Sequence, residues 1–176
     1  MQFDPVAAMQ LWAVEVELAG RWYRIAPRPA AEWITTIMQD GWLEIVPGWC
    51  DESDDLDEAM CDGTVGVDEC VRAAQDALAE NAGTLWWAAV RLIHMAAGDG
   101  LGELWLSGMD PRTVPLGAVI HATYRLYTRE MNKSQRAQLD MRLEQTPPGV
   151  SAEERYDEQR AADMFEQMAA RRGMAA

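Results

Sequence analysis

The chain has 176 residues, a formal net charge of −14 and 49% hydrophobic residues, a composition typical of one acidic domain with a substantial core. Acidic proteins are repelled by phosphate backbones, and neither of the longest apolar stretches, residues 85–90 and 92–97, approaches the ~20 residues that span a bilayer. We therefore expect no direct nucleic-acid ligand and no membrane-spanning segment.

The N-terminal region predicts a β-hairpin. Residues 11–18, LWAVEVEL, alternate, so that Trp12, Val14, Val16 and Leu18 share one face and two glutamates share the other. A short Gly-containing link leads to RWYRI at 21–25, which predicts a second strand. Because a two-stranded hairpin is marginal alone, we expect its apolar face to lie on helices.

The next segments contain proline and a dense run of acids. Pro29 suits the first turn of a helix that ends near residues 40–41. An apolar segment at 42–49 is expected to end at Pro47. Nine of the 29 acids fall within residues 51–70, which contain no Lys or Arg, and this composition predicts a loop over 51–66.

Caps and apolar spacing predict helices through the rest of the chain. The expected bounds are Asp68 to Gly83, Thr84 to Ala97 with a stop at Gly98, Pro115 to Tyr127, and Ser134 to Leu143. The helix at 84–97 is apolar nearly all round, which predicts a position at the centre of the core.

The fold class that follows is mainly α (α+β), with an N-terminal β-hairpin packed on a bundle of about five to six helices and a C-terminal helical tail. We expect a core domain over residues 1–149 and a charged helix over 150–176. Buried side chains are predicted at Trp12, Val14, Val16, Trp33, Ile37, Leu85, Val90, Ile93, Val119, Ile120 and Leu139.

The C-terminal segment is interrupted before it begins. Two prolines and Gly149 break the helix, and Ser151 with Glu154 forms a capping box that starts another. Its apolar stripe includes Met164, Phe165 and Met168. The stripe either docks on the core or serves as a detachable arm that contacts a partner.

The titratable residues form no recognisable catalytic or metal-binding pattern. Cys50, Cys61 and Cys70 lack the close pairing of zinc ligands, and the acidic run fails the EF-hand spacing. An odd cysteine number without a signal peptide argues against a disulfide-built secreted domain and favours a cytosolic protein. His94 and His121 lie in apolar helices, which favours hydrogen-bonded core positions over catalysis.

Two features are candidates for partner contact. The first is the acidic run, where Asp51, Glu52, Asp54, Asp55 and Asp57 form either a solvated loop or a docking surface for a basic partner. The second is the pair Trp86 and Trp87, whose side chains lie about a hundred degrees apart on a helix, so at most one fully faces the core. We take Trp87 as the candidate for contact with a partner.

Three stretches carry a family resemblance. They are LWAVEVELAGRWYRIAPRPAAEW at 11–33, the helix at 84–97 leading to GMDPRTVPL at 108–116, and YRLYTREMNKSQRAQLDMRLEQTPPG at 124–149. Their layout resembles the tail assembly chaperones of long-tailed (siphovirus-type) phages that infect actinobacteria. Residues 51–66 lie outside the resemblance.

The resemblance implies a non-enzymatic protein without cofactors that binds the tape measure protein and helps tail tube protein polymerise around it. It implies action in the host cytoplasm, absence from the mature virion, and a frameshifted longer form of the same chain as a further partner. Two alternatives remain open: a head-to-tail connector or neck protein of the virion, and a small hydrolase that uses Cys70 or Cys50 with His94.

Overall fold

The structure is a computed structural model that describes residues 3, 13–148 and 150. An antiparallel hairpin begins its continuous part. Strand β1 (Val14–Leu18) pairs with β2 (Arg21–Ile25) in a register that runs from Val14 opposite Ile25 to Leu18 opposite Arg21. The turn consists of Ala19 and Gly20, with φ of 49° and 77°. Positive φ at both turn residues matches the twist of the strands and closes a two-residue hairpin.

Helices make up most of the remaining described chain, which confirms the mainly α class with a hairpin on a helical bundle. Their bounds are α1 (Ala30–Met38), α2 (Trp42–Trp49), α3 (Ser53–Cys61), α4 (Val67–Ala82), α5 (Trp86–Met95), α6 (Leu101–Leu106), α7 (Leu116–Thr128) and α8 (Lys133–Glu144). A π-helical segment, Ala96–Gly100, joins α5 to α6. The described residues thus hold more helices than the five or six expected.

The hairpin places its apolar face on the bundle, as the alternation predicts. Val14, Val16 and Leu18 are buried, and the two glutamates between them are exposed. Strand β1 packs on α4, whose facing residues are mostly alanine. Trp12, expected on the same apolar face, lies outside the described residues.

Two helices extend beyond what the sequence predicts. Helix α2 continues through Pro47, because burial of Ile45 and Val46 outweighs the loss of one backbone donor near the helix end. The expected loop at 51–66 contains α3, in which Leu56 and Ala59 are buried at helical spacing. Acids in its first turn also favour the helix, since they interact well with the helix dipole.

The expected stop at Gly98 is wrong. The chain passes through Gly98 in the π-helical segment and continues as α6. The Tyr127 hydroxyl donates to the Met95 carbonyl at 3.0 Å, immediately before the widened turn. This bond from α7 stabilises the widened turn. The glycines, which alone suggest the end of a helix, therefore lie in an interruption within one.

The ends of α4 and α8 show which cap signals decided the boundaries. Helix α4 ends at Gly83 as predicted, with φ of 66°, but its N-cap is Gly66 and not Asp68. Helix α8 is capped by Asn132, not Ser134. The Asn132 side chain accepts from the Gln135 N–H, and the Gln135 side chain accepts from the Asn132 N–H, both at 3.0 Å.

One hydrophobic core extends from the hairpin to α8. Of the predicted core residues, Val14, Val16, Trp33, Ile37, Ile93, Val119 and Ile120 are buried, whereas Leu85, Val90 and Leu139 are only half-buried. On α5 the core instead takes the face formed by Trp87, Ala88, Ala89, Leu92 and Ile93. The division at residue 149 stays a prediction, since residues 151–176 lie outside the described chain.

The cap of α8 provides a stability test with a matched control. Replacing Asn132 by Ala should lower the free energy of unfolding by about 1 kcal/mol, because the capping box is lost. Replacing Ser134 by Ala should change it by less than about 0.5 kcal/mol, since Ser134 is exposed and does not serve as the cap. Urea unfolding of both variants measures the difference, and equal losses would contradict the boundary.

Candidate functional site

The acidic residues of the α3 region lie against the arginines of β2. Arg21 pairs with Asp55 at 3.3 Å and Arg24 pairs with Asp51 at 3.6 Å. The Glu52 side chain accepts a hydrogen bond from the Arg24 backbone N–H at 3.2 Å. Three of the five acids predicted to contact a partner are therefore already engaged by the hairpin.

These contacts decide what the acidic surface of α3 offers to a partner. Exposed ion pairs contribute little to stability, so burial of Leu56 and Ala59 is the main force that holds α3 in place. Asp54 and Asp57 lie on the exposed side of the helix. The surface open for docking is thus the outer face of a helix and not a flexible loop.

A second acidic surface lies where β1 meets α4. It is a groove of about 410 Å³, here called the β1 groove, and it continues into a pocket beside Ala13 and Arg24. All of β1 lines it, together with Trp22 and five residues of α4. The charged lining residues are Glu15, Glu17, Glu69, Arg72, Asp76 and Glu80. Five carboxylates against one guanidinium make its lining strongly acidic.

An exposed tryptophan accompanies these charges. Trp22 lies opposite Glu17 in the hairpin and is 65% exposed. Tryptophan is enriched among the residues that contribute most to binding at protein interfaces, so an exposed Trp beside charged side chains suits contact with a partner. The sequence analysis did not select the groove, although the spacing of Glu69, Arg72, Asp76 and Glu80 places them on one helix face.

Burial and a neighbouring charge shift the pKa of one carboxylate in the groove, Glu80. Desolvation and the nearby charge of Glu15 raise the pKa of Glu80 above its ordinary value. The ionised Glu80 side chain is therefore destabilised in the groove, and a positive group placed beside it would favour its ionised form.

The two adjacent tryptophans have separate structural roles. Trp87 is 4% exposed, and its indole N–H donates to the Glu144 carbonyl at 3.3 Å. Its predicted contact with a partner is therefore wrong for this fold, because the side chain binds α8 inside the protein. Trp86 is half-buried and lies edge-on to Trp42, with ring centroids 5.9 Å apart.

Arg91 completes the attachment of α8. Its guanidinium donates to the carbonyls of Arg142 and Leu143, both at 2.7 Å. A cation at the C-terminus of a helix satisfies carbonyls that lack helical partners and interacts favourably with the helix dipole. The end of α8 is therefore fixed to α5 by side chains, and Leu143 adds apolar burial.

The thiols lie in surroundings that suppress reactivity at two positions. Cys50 and Cys70 are buried, while Cys61 is exposed, and all three are free. Burial raises the pKa of the Cys50 thiol to about 11, and burial also raises that of Cys70. Their closest polar contacts are Glu52 for Cys50 and the Met60 sulfur for Cys70. A raised thiol pKa opposes the nucleophilic role weighed for Cys50 and Cys70.

The histidines do not share a site in the core. His94 is exposed, so its predicted core position is wrong: α5 turns Arg91 and His94 away from the buried face that contains Leu92 and Ile93. His121 is half-buried and lies 5.3 Å from the ring of Phe3. Within the described residues, no group of three His, Cys, Asp or Glu is placed to hold a metal ion.

The remaining predicted contact residues lie beyond the described chain. Met164, Phe165 and Met168 belong to residues 151–176, so their role as a docking stripe or an arm stays a prediction. Among the helices that the structure describes, none has the length and apolarity to cross a bilayer.

Comparison with known proteins identifies no relative. No protein-family model, no curated protein and no solved structure matches the chain.

Thiol accessibility tests the environment of the cysteines. At pH 8 a thiol with a pKa of about 11 is only about one part in a thousand thiolate, so Cys50 should react slowly. The folded protein should therefore show one fast-reacting thiol with Ellman's reagent and three after denaturation. Cys61→Ser should remove the fast phase. Fast reaction of Cys50 or Cys70 in the folded protein would contradict this and support the Cys–His hydrolase.

The carboxylates of the β1 groove provide a pH-dependent test. Because the folded pKa of Glu80 is raised, its ionisation destabilises the folded state as the pH rises above the unfolded value of about 4.5. Glu80→Gln should therefore raise the melting temperature at pH 7, and the gain should shrink toward pH 4. Glu130→Gln, at an exposed position outside the groove, is the control. A pH-independent gain would refute the electrostatic cause.

Proposed function

We propose that this protein is a non-enzymatic tail assembly chaperone of a long-tailed actinobacteriophage, which binds the tape measure protein and promotes tail tube assembly. The observation that carries the proposal is the resemblance of the stretches 11–33, 84–97 with 108–116, and 124–149. The proposal includes action in the host cytoplasm, absence from the mature virion, and the tail tube protein and a frameshifted longer form as further partners.

The arrangement of these stretches supports a common role. The first forms the hairpin and leads into α1, the second covers α5 and the segment that leads into α7, and the third joins α7 to α8. All of these elements pack into one core. The resemblance thus covers connected parts of one fold.

The surface chemistry supports partner binding. Asp54 and Asp57 on α3 and the five carboxylates of the β1 groove present negative charge, while Trp22 adds an exposed aromatic contact. A separate pair of exposed apolar residues, Trp105 and Leu106, ends α6. Apolar contacts beside acids suit an amphipathic, basic partner, and the negative charge favours solubility of the unbound protein.

Co-expression with the tape measure protein tests the proposal. The tape measure protein should be insoluble alone and soluble with this chain, and the two should co-purify. In an infected host, deletion of the gene should leave heads without tails. Mass spectrometry should detect the chain in the lysate but not in purified virions. A stoichiometric amount in virions would contradict the chaperone role.

A matched pair of variants tests the part played by α3. Asp54→Asn with Asp57→Asn should slow association with the tape measure protein at low salt more than it speeds dissociation, because exposed charges mainly set the encounter rate. These two positions are chosen because Asp51, Glu52 and Asp55 contact the hairpin. Asp68→Asn with Glu130→Gln removes the same charge elsewhere and should leave the rate unchanged.

A further inference from the structure

Residue pairs along the hairpin alternate between hydrogen-bonded and non-hydrogen-bonded, and this alternation shows which backbone groups point away from the partner strand. The Arg24 carbonyl accepts from the Asp51 N–H at 2.9 Å, and the Arg24 N–H donates to Glu52 at 3.2 Å. Both groups of Arg24 therefore point away from β1. Its cross-strand partner is Glu15, so Glu15 belongs to the same non-hydrogen-bonded pair and directs its N–H and carbonyl away from β2. Because the pattern repeats every two residues, Glu17 does the same.

The two edges of the hairpin differ in their backbone pairing. On the β2 side, Cys50 forms a bridge with Ile25, and the Ala26 N–H donates to the Trp49 carbonyl at 2.8 Å. Residues 49–51 thus cover that edge. On the β1 side, the backbone bonds between described residues include none to the N–H or carbonyl of Glu15 or Glu17. An unpaired strand edge is a template for another strand.

This edge, which is unpaired among the described residues, opens into the β1 groove. Every residue of β1 lines this groove of about 410 Å³, and α4 forms its other wall. A strand edge beside a helix is the geometry in which proteins bind an extended peptide as an added strand: backbone bonds supply affinity, and the groove selects side chains.

The charges of the groove select the kind of strand that binds. Glu15 and Glu17 project from the exposed face of β1, beside Trp22, and Glu80 and Asp76 lie on the α4 wall. A second copy of β1 would place glutamates against glutamates, and like charges across a strand pair are destabilising. A strand with alternating Lys or Arg would instead place positive charge next to these carboxylates.

We propose that the β1 edge binds an extended, basic segment of another polypeptide by strand addition, with backbone bonds to Glu15 and Glu17 and with alternate Lys or Arg side chains against the groove carboxylates. The side chains that alternate with these Lys or Arg residues in the bound segment would face α4 near Ala73, and we expect them to be small and apolar. This inference stands on the geometry of the hairpin and does not depend on the chaperone role.

The direct test is amide hydrogen exchange of the full chain with a defined probe. The probe is the heptapeptide Lys-Val-Lys-Thr-Lys-Val-Lys, and the matched control carries N-methyl groups on alternate residues, which removes the backbone donors. The probe should slow exchange at Glu15 and Glu17 by at least about tenfold, while Val14, Val16 and Leu18, whose N–H groups point to β2, should change little. The methylated peptide should leave both amides unprotected.

Two variants separate the contribution of the Glu17 backbone N–H to peptide binding from the contribution of its carboxylate. Glu17→Pro removes an outward N–H that makes no ladder bond to β2, so the hairpin should persist while peptide affinity falls at least about tenfold. Glu17→Gln removes the same charge but keeps the N–H, and affinity should fall only about threefold. Circular dichroism checks that both variants fold. The methylated peptide tests the need for backbone hydrogen bonds on the unaltered chain.

Several results would overturn the proposal. They include no saturable binding of the heptapeptide below about 1 mM, and equal binding of the methylated peptide. Protection of Glu15 and Glu17 without peptide that grows with protein concentration would assign the edge to a second copy. Protection that is independent of concentration and is lost on removal of residues 1–12 would assign the edge to the chain's own N-terminus.

Discussion

The small-residue face of α4 is the constraint on which the rest of the fold depends. Its buried positions are mostly alanine, with Cys70 and Leu78 among them. Short side chains allow neighbouring backbones to approach closely, and α4 accordingly contacts β1, α2, α5 and α7. A hairpin of two five-residue strands has no independent stability, so its position is set by the helix that buries its apolar face.

That packing also determines where the negative charge lies. Because β1 faces α4 with its valines, the glutamates between them must project on the other side, beside Trp22. The acids on the exposed face of α4 then lie along the same groove. The charge of this surface is thus a consequence of strand alternation combined with helical spacing.

The elements that sequence predicts well are those in which local pattern and tertiary packing agree. The alternation of VEVEL and the Ala-Gly turn specify the hairpin, and Gly83 adopts the left-handed conformation that ends α4. The sequence also holds the signal for the start of α8, although the choice of Ser134 missed it. Asn132 and Ser134 are both good caps, but only Asn132 is followed three residues later by Gln or Glu: the Gln135 side chain accepts a hydrogen bond from the Asn132 N–H.

The side chains near the site were harder to assign, because their environment is set by distant parts of the chain. Trp86 and Trp87 are adjacent, and only the position of α8 decides that Trp87 is the buried one. His94 follows an apolar stretch but turns outward with α5. The acidic run was predicted as a loop because its composition masks the spacing of Leu56 and Ala59, which becomes meaningful only once α2 and the hairpin offer a surface to cover.

The distribution of arginine distinguishes the two sides of the hairpin. Arg21 and Arg24 lie on β2 and pair with Asp55 and Asp51, so negative charge is locally balanced where residues 49–51 complete the pairing of β2. Strand β1 contains no basic residue, and Arg72 is the single guanidinium among the charged residues that line its groove in the described chain. Charge on an exposed strand edge prevents pairing with identical copies. The same charge favours a strand of opposite sign over an identical one, so the feature that disfavours self-pairing also determines the sign of the partner that we propose.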